Sequence, residues 1–381
     1  MRIFSVFFIC IFTFTASIAT AAPAPPQLAE DSKSAILLEQ SSGTILFEKN
    51  PDERLPIASV TKIMTLLLAM EDLDSGVITL DTMVTCSEHA ASMGGSQVYM
   101  QVGEQMSVHD IFKAIAVASG NDASVAIAEH LSGSESVFVE RMNARAAELG
   151  MKNTHFINTN GLDEGTEAYS CARDVSIMSR ELLKHPKIHD YLTIWMDSLR
   201  GGEFQLSNTN RLLRFYSGAN GIKTGSTSEA LYCLSASAKR EDMQLISVVL
   251  GASSTDARFG NSSELLDFGF ANFAVINTSG NTAGDSEIAV SKGVVESVAL
   301  VEIGSGGVVV AKSKKASVTR EIELPKSVSA PLSAGQKVGE VRYMLNGEVI
   351  STTDLVTKDS VAKLGFFAYI WKMLYKFACF N

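Results

Sequence analysis

The chain has 381 residues, 46% of them hydrophobic, which is enough for two domains with buried cores. Its 42 acidic residues outnumber 32 Lys and Arg, giving a net charge of −10, and no basic tract stands out. That balance argues against a nucleic-acid partner and leaves an acidic surface that does not steer the protein to lipid by bulk charge.

The first 22 residues read as an export signal. Arg2 supplies the positive start, and the apolar run 3–14 is too short to span a bilayer comfortably. Ala19-Thr20-Ala21 offers small residues for cleavage, and Pro23, Pro25 and Pro26 break any helix beyond it. A membrane anchor is the competing reading. Cleavage would remove Cys10 and place the mature chain outside the cytoplasm. Cys86, Cys171, Cys233 and Cys379 remain, widely spaced and without a C-x-x-C, which is neither a metal pattern nor a dense disulfide framework. Cys233, in an apolar run, reads as an inert buried thiol.

Residues 28–275 mix helical and strand patterns. Segments 34–40 and 44–48 flank Ser41-Ser42-Gly43, a hairpin signal. Residues 60–70 are apolar nearly all round, which predicts a buried helix. Further helices are expected over 107–118, with Ser107 as N-cap, and over 122–131 and 136–149. Segments 231–238 and 243–252 read as adjacent core strands. Residues 282–357 are rich in Val and Ile with period-two stretches. Segments 340–345 and 348–351 are joined by Asn346-Gly347, a two-residue hairpin signal, and 304–307 and 331–335 are turn clusters. This region is expected to form a small β-sandwich. The tail 360–381 interleaves aromatics such as Phe366, Phe367, Trp371 and Phe377 with Lys363, Lys372 and Lys376. Its charge-free stretches are too short to cross a bilayer, and the pattern suits a helix lying in a membrane interface. A helix packed on the protein, or a coiled-coil seam, would use the same residues.

Three short motifs carry chemistry. Ser59-Val60-Thr61-Lys62 stands at the mouth of the apolar helix, and residues three apart share a helix face, so the Lys62 amine reaches the Ser59 hydroxyl. Desolvation at the edge of a buried helix disfavours an ammonium, and a neutral lysine can take the serine proton. The Ser59 backbone N–H, at a helix start, can help hold an oxyanion. Ser119-Gly120-Asn121 interrupts two helical patterns and offers a second hydroxyl and an amide for proton relay and carbonyl binding. Gly221-Ile222-Lys223-Thr224-Gly225-Ser226-Thr227 leads into the strand 231–238; a strand edge, a fixed charge at Lys223 and close approach at Gly225 suit an extended substrate ending in a carboxylate. Taken singly, each also reads as an ordinary cap, turn or solvated charge.

In that order and spacing, the three motifs resemble those of the low-molecular-mass penicillin-binding proteins that act as D-Ala-D-Ala carboxypeptidases. The resemblance runs over 33–273 and more loosely to 357, with supporting stretches at 55–64, 119–130, 149–163, 171–174, 208–213 and 265–270. It implies an α/β catalytic domain over 28–275, an antiparallel sheet flanked by helices plus a helical subdomain, followed by an all-β domain over 282–357. Ser59 would be the acylated nucleophile, Lys62 its base, and Ser119 and Asn121 the relay and carbonyl-holding pair. Lys223 and Thr224 would face the terminal carboxylate, with Gly225 beside them in the substrate-binding set; the Ser226 N–H would be the second oxyanion donor, and Arg258 would bind the carboxylate through its forked donors. Asp174 and Arg211 would form a supporting pair, although each alone reads as a surface ion-pair residue. Cys171 stands where the family usually has threonine.

The implied substrate is a peptidoglycan stem peptide ending in D-Ala-D-Ala, with β-lactams as acylating mimics and no cofactor or metal required. The implied location is the outer face of the bacterial cytoplasmic membrane, with the tail on the membrane surface. A class A-like β-lactamase stays open, although Gly120 stands where such enzymes carry aspartate. So do a D,D-endopeptidase or transpeptidase and a non-catalytic penicillin sensor.

Overall fold

The computed structural model describes residues 26–162, 167–278, 282–304 and 306–378. The export signal, Cys10 and Cys379 lie outside the described residues.

Strand β1 (Ser34–Glu39) and β2 (Ile45–Lys49) form the expected hairpin. They join β3 (Ala219–Thr227), β4 (Leu231–Arg240) and β5 (Met243–Ala252) in an antiparallel sheet ordered β2-β1-β5-β4-β3. Side chains alternate across a strand, and here both faces are buried. Ile36, Leu38, Ile246, Val248 and Leu250 enter one core, while Leu37, Leu234, Ala236, Leu245 and Val249 enter the other. That explains why these strands read as continuous apolar runs rather than alternating ones.

The larger core holds helices α1 (Lys62–Asp74), α2 (Val108–Ala116), α3 (Asn121–Ser132), α4 (Glu135–Glu148) and α5 (Ala172–Leu182). As its all-round apolar pattern predicts, α1 is buried from Lys62 through Met70. Ser107 caps α2 by accepting the Asp110 N–H, as expected. Helix α6 (Thr255–Asn272) covers the opposite face of the sheet.

The C-terminal all-β domain is equally plain. Its strands are β6 (Thr282–Ser291), β7 (Ser297–Ile303), β8 (Val318–Glu323), β9 (Ser327–Ser329), β10 (Lys337–Leu345) and β11 (Glu348–Thr357). They pair in the order β8-β10-β11-β7-β6-β9 around a core of their own that includes Ile288, Leu300, Val341 and Leu355. Asn346-Gly347 turns β10 into β11, both residues at positive φ. A terminal helix, α7 (Phe366–Ala378), leaves Phe366, Phe367, Trp371 and Leu374 exposed. Among the described residues no helix is long and apolar enough to cross a membrane.

Candidate active site

Ser59 lies in a short 3-10 turn, Ala58–Thr61, that feeds directly into α1. The turn is strained: buried Ala58 takes φ +48°, a left-handed conformation that a side chain rarely adopts. Lys62 is fully buried and its position is fixed by three acceptors. Its Nζ lies 3.0 Å from Ser59 Oγ, 2.6 Å from Asn121 Oδ1 and 2.8 Å from the Asn160 carbonyl. The serine–lysine contact read from the i, i+3 spacing is therefore present. So is the junction with the second motif, because Asn121 opens α3 and turns its amide oxygen to the lysine. Asn121 Nδ2 is in turn spent on the Gly94 carbonyl at 2.7 Å. Ser119, buried two residues earlier, sits at φ +62°.

The third motif is itself the edge strand of the sheet. The sequence pattern suggested a segment leading into a strand; in the structure Ala219–Thr227 is β3, which among the described residues pairs only with β4. The other side of β3 reaches the nucleophile through Gly225. A Cβ there would lie 2.6 Å from the Ile57 carbonyl and 3.0 Å from the Ser59 backbone nitrogen, so only glycine permits this approach. Lys223, buried on β3, donates to the Thr224 carbonyl at 2.9 Å. Burial, and secondarily the charge of Arg258, push the Lys223 amine down from 10.5 to about 7. The buried Thr224 shares a 2.6 Å hydrogen bond with Thr209, hydroxyl to hydroxyl. Ser226, two residues further along β3, is exposed.

Arg258 rises from the first turn of α6 behind β3. It donates through one guanidinium nitrogen to the Gly225 carbonyl at 3.1 Å and the Cys233 carbonyl at 3.5 Å, and lies against the Phe259 and Tyr232 rings. Desolvation lowers its pKa, although arginine still stays charged. Two basic side chains thus converge on one stretch of β3.

The expected pairing of Asp174 with Arg211 is not there. Asp174 is buried and accepts from the Asn153 N–H at 2.6 Å and the Thr154 hydroxyl at 2.8 Å, tying that loop to the start of α5. Arg211 is exposed and reaches Asp256 at 3.5 Å. Each found a nearer partner within its own neighbourhood. Among the described residues no cluster of His, Cys, Asp and Glu could hold a metal ion.

This arrangement sets a serine hydroxyl against a buried lysine amine, beside an edge strand that carries a second lysine and is backed by an arginine. Residues 19–254 match the model of the D-alanyl-D-alanine carboxypeptidase family, and residues 278–363 match the C-terminal domain of penicillin-binding protein 5. The chain belongs to the D-alanyl-D-alanine carboxypeptidase family. It is 43% identical to the D-alanyl-D-alanine carboxypeptidase DacF of Bacillus subtilis over 348 residues, 90% of this chain and 89% of that one. Penicillin-binding protein 5 of Haemophilus influenzae superposes with a TM-score of 0.73 at 35% identity, covering 90% of this chain and all of that one. Penicillin-binding protein D2 of Listeria monocytogenes, solved with ampicillin bound, gives a TM-score of 0.59 at 31% identity over 64% of this chain and all of that one. The chain is a serine-type D-alanyl-D-alanine carboxypeptidase, a hydrolase.

Cys171, where the resemblance implied a threonine, has a readable place in this carboxypeptidase. The Cys171 thiol is the N-cap of α5 and accepts the Asp174 N–H at 3.4 Å. Burial pushes that thiol up to about 11, so it is held protonated and unreactive at neutral pH. Cys86, Cys171 and Cys233 are all buried. Asn160 and Thr209 belong to the site but were not read from the sequence. The first contributes only a main-chain carbonyl, which leaves no side-chain signature; the second is one hydroxyl among many.

Proposed function

We propose that Ser59 carries the carboxypeptidase reaction as an acyl-enzyme nucleophile with Lys62 as its base. The observation that carries this reading is the 3.0 Å approach of Lys62 Nζ to Ser59 Oγ beneath the β3 edge. As a neutral amine, Lys62 keeps its two N–H donors on Asn121 and Asn160 and turns its lone pair to Ser59, taking the hydroxyl proton as Oγ attacks the carbonyl of the penultimate D-Ala. The oxyanion is held by the Ser59 and Ser226 backbone N–H groups. The C–N bond then breaks, and the departing D-alanine amine takes its proton through Ser119 or Lys62. Water, deprotonated by the same base, cleaves the ester and regenerates the serine. The stem peptide lies along β3, with its carbonyl near Asn121 and its terminal carboxylate facing Thr224 and Lys223, with Arg258 as a second cation behind. β-Lactams enter as mimics of this peptide and acylate Ser59.

The surrounding parts follow. The first 22 residues direct export, residues 28–275 form the catalytic unit and 282–357 the β unit. The tail 360–381 holds the enzyme on the outer face of the cytoplasmic membrane through the exposed aromatic face of α7. Deleting 360–381 should move the protein from the membrane pellet to the soluble fraction; continued pelleting would refute the anchor. For the reaction, free D-alanine is measured from a pentapeptide ending in D-Ala-D-Ala. Release by the mature protein and none by Ser59→Ala is expected. Equal release by both would remove Ser59 from its role, and rapid turnover of penicillin without D-alanine release would favour a β-lactamase.

A further inference from the structure

Residues 94–104 form a loop beside the second motif, and it is gripped from both edges. On one side the buried Asp122 carboxylate accepts the Val98 N–H at 3.1 Å and the Met100 N–H at 3.0 Å. On the other, Arg200 donates to the Val98 carbonyl at 3.0 Å and the Tyr99 carbonyl at 3.4 Å. The same guanidinium closes on Glu104 with two bonds of 2.7 and 3.1 Å. Arg200 stands at the tip of the hairpin formed by Met196–Leu199 and Phe204–Ser207, with its backbone at φ +53°. That hairpin runs on to Thr209, which bonds Thr224.

The loop in turn holds Asn121. The Ser96 carbonyl accepts the Asn121 backbone N–H and the Gly94 carbonyl accepts its Nδ2, both at 2.7 Å. Packing there is tight: a Cβ on Gly95 would lie 2.9 Å from Asn121 Nδ2. Asn121 then holds Lys62. A continuous set of bonds thus leads from Arg200 to Ser59 through one backbone segment.

We propose that Arg200 is a positioning residue for the reaction: its clamp on the 98–99 segment holds Asn121, and through it the Lys62 amine, in register with Ser59. This rests on the reading of Ser59, Lys62 and Asn121 as the reacting centre. The geometry favours a positioning role over a plain surface ion pair because the guanidinium spends its donors on the loop's carbonyls as well as on Glu104. The hydrogen bond from Arg200 also holds the Glu104 carboxyl below its usual range, as a close contact with a guanidinium should. Misplacing a catalytic group by a fraction of an ångström is enough to slow chemistry.

The test uses the mature full chain. Arg200→Ala and Glu104→Gln are compared with wild type for D-alanine release, for the rate of Ser59 acylation by a fluorescent penicillin, and for thermal midpoint. Arg200→Ala should lower kcat and the acylation rate about tenfold with KM within about twofold, and Glu104→Gln should lower both about threefold. In an Asn121→Ala background the Arg200→Ala effect should vanish, because both changes break the same connection. Unchanged acylation in a folded Arg200→Ala protein overturns the proposal, as does a full additive loss in the double variant. Should Arg200→Ala not fold, Glu104→Gln decides in the same way. A wild type that neither releases D-alanine nor takes the label overturns the functional reading, and this inference with it; an active wild type matched by its variants overturns the clamp alone.

Discussion

Lys223 should impose a falling limb on the pH profile near neutrality. Its amine is buried on β3, where it donates to the Thr224 carbonyl and has Arg258 as a neighbouring cation. The drop from 10.5 to about 7 corresponds to about 5 kcal/mol against the charged form. In the free enzyme the cation proposed to meet the substrate carboxylate is thus half present at pH 7, about one-tenth present at pH 8 and about one-hundredth at pH 9. Initial rates of D-alanine release below KM report kcat/KM, which should fall about tenfold per pH unit above 7. Lys223→Ala should be slow and should lack this limb. Arg258→Gln should move the limb to higher pH, because a repelling charge is gone. The stability sign is the reverse of a salt bridge. Between pH 7 and 10.5 the unfolded chain binds a proton at Lys223 that the folded chain does not, so this group's contribution to stability rises with pH across that window. Below pH 7 the full penalty is present. A wild-type profile flat to pH 9, or the same limb in Lys223→Ala, would refute the assignment.

Other substitutions probe separate parts of the argument. Gly225→Ala must push its Cβ into the Ile57 carbonyl and the Ser59 nitrogen; overpacking of about 1–3 kcal/mol at that contact should slow acylation by penicillin roughly tenfold to a hundredfold, measured by stopped-flow labelling. Cys171→Thr restores a hydroxyl cap to α5 and should raise stability to urea by up to about 1 kcal/mol while D-alanine release stays unchanged; a loss would mean the thiol does more than cap. In the β domain, buried Glu302 accepts from Tyr343 at 2.6 Å and Thr353 at 2.5 Å and pairs with Arg320 at 2.6 Å. Glu302→Ala leaves these groups unmatched and should destabilise that domain by about 3 kcal/mol in calorimetry without changing catalysis. A parallel loss of activity would show that the two domains are energetically coupled.

The parts of the fold that were legible in the sequence are those where one local rule dominates. The helix of α1 shows because residues 63–70 are nearly all apolar, and the β10–β11 turn shows because Asn346-Gly347 fits positive φ. Helix α6 is harder to see. Gly260 and Gly269 weaken its pattern, yet Gly269 is there because a Cβ would lie 2.5 Å from Leu245 on the sheet. Close packing, not helix breaking, selects that glycine. The strand β3 is obscured likewise, since Gly221, Lys223 and Gly225 are poor strand formers in isolation. They become strand residues because β4 supplies a ladder on one side and the Ser59 turn demands a close approach on the other.

The candidate site divides along the same line. Ser59 with Lys62 was readable because a helical spacing of three brings them together, and Asn121 and Lys223 because their motifs recur in a known order. The Asp174–Arg211 pairing, carried over by resemblance, was not, since a charge takes whichever partner the local backbone presents. What holds Lys62 in place is largely main chain: the Asn160 carbonyl directly, and the Gly94, Ser96, Val98 and Tyr99 carbonyls through Asn121 and Arg200. Carbonyl groups are identical at every position, so only the folded path of the backbone tells which of them matter. The reacting groups are therefore a property of residue type, and their alignment is a property of loop conformation. Activity in this enzyme should consequently be more sensitive to changes in residues 94–104 than their distance from Ser59 in sequence suggests.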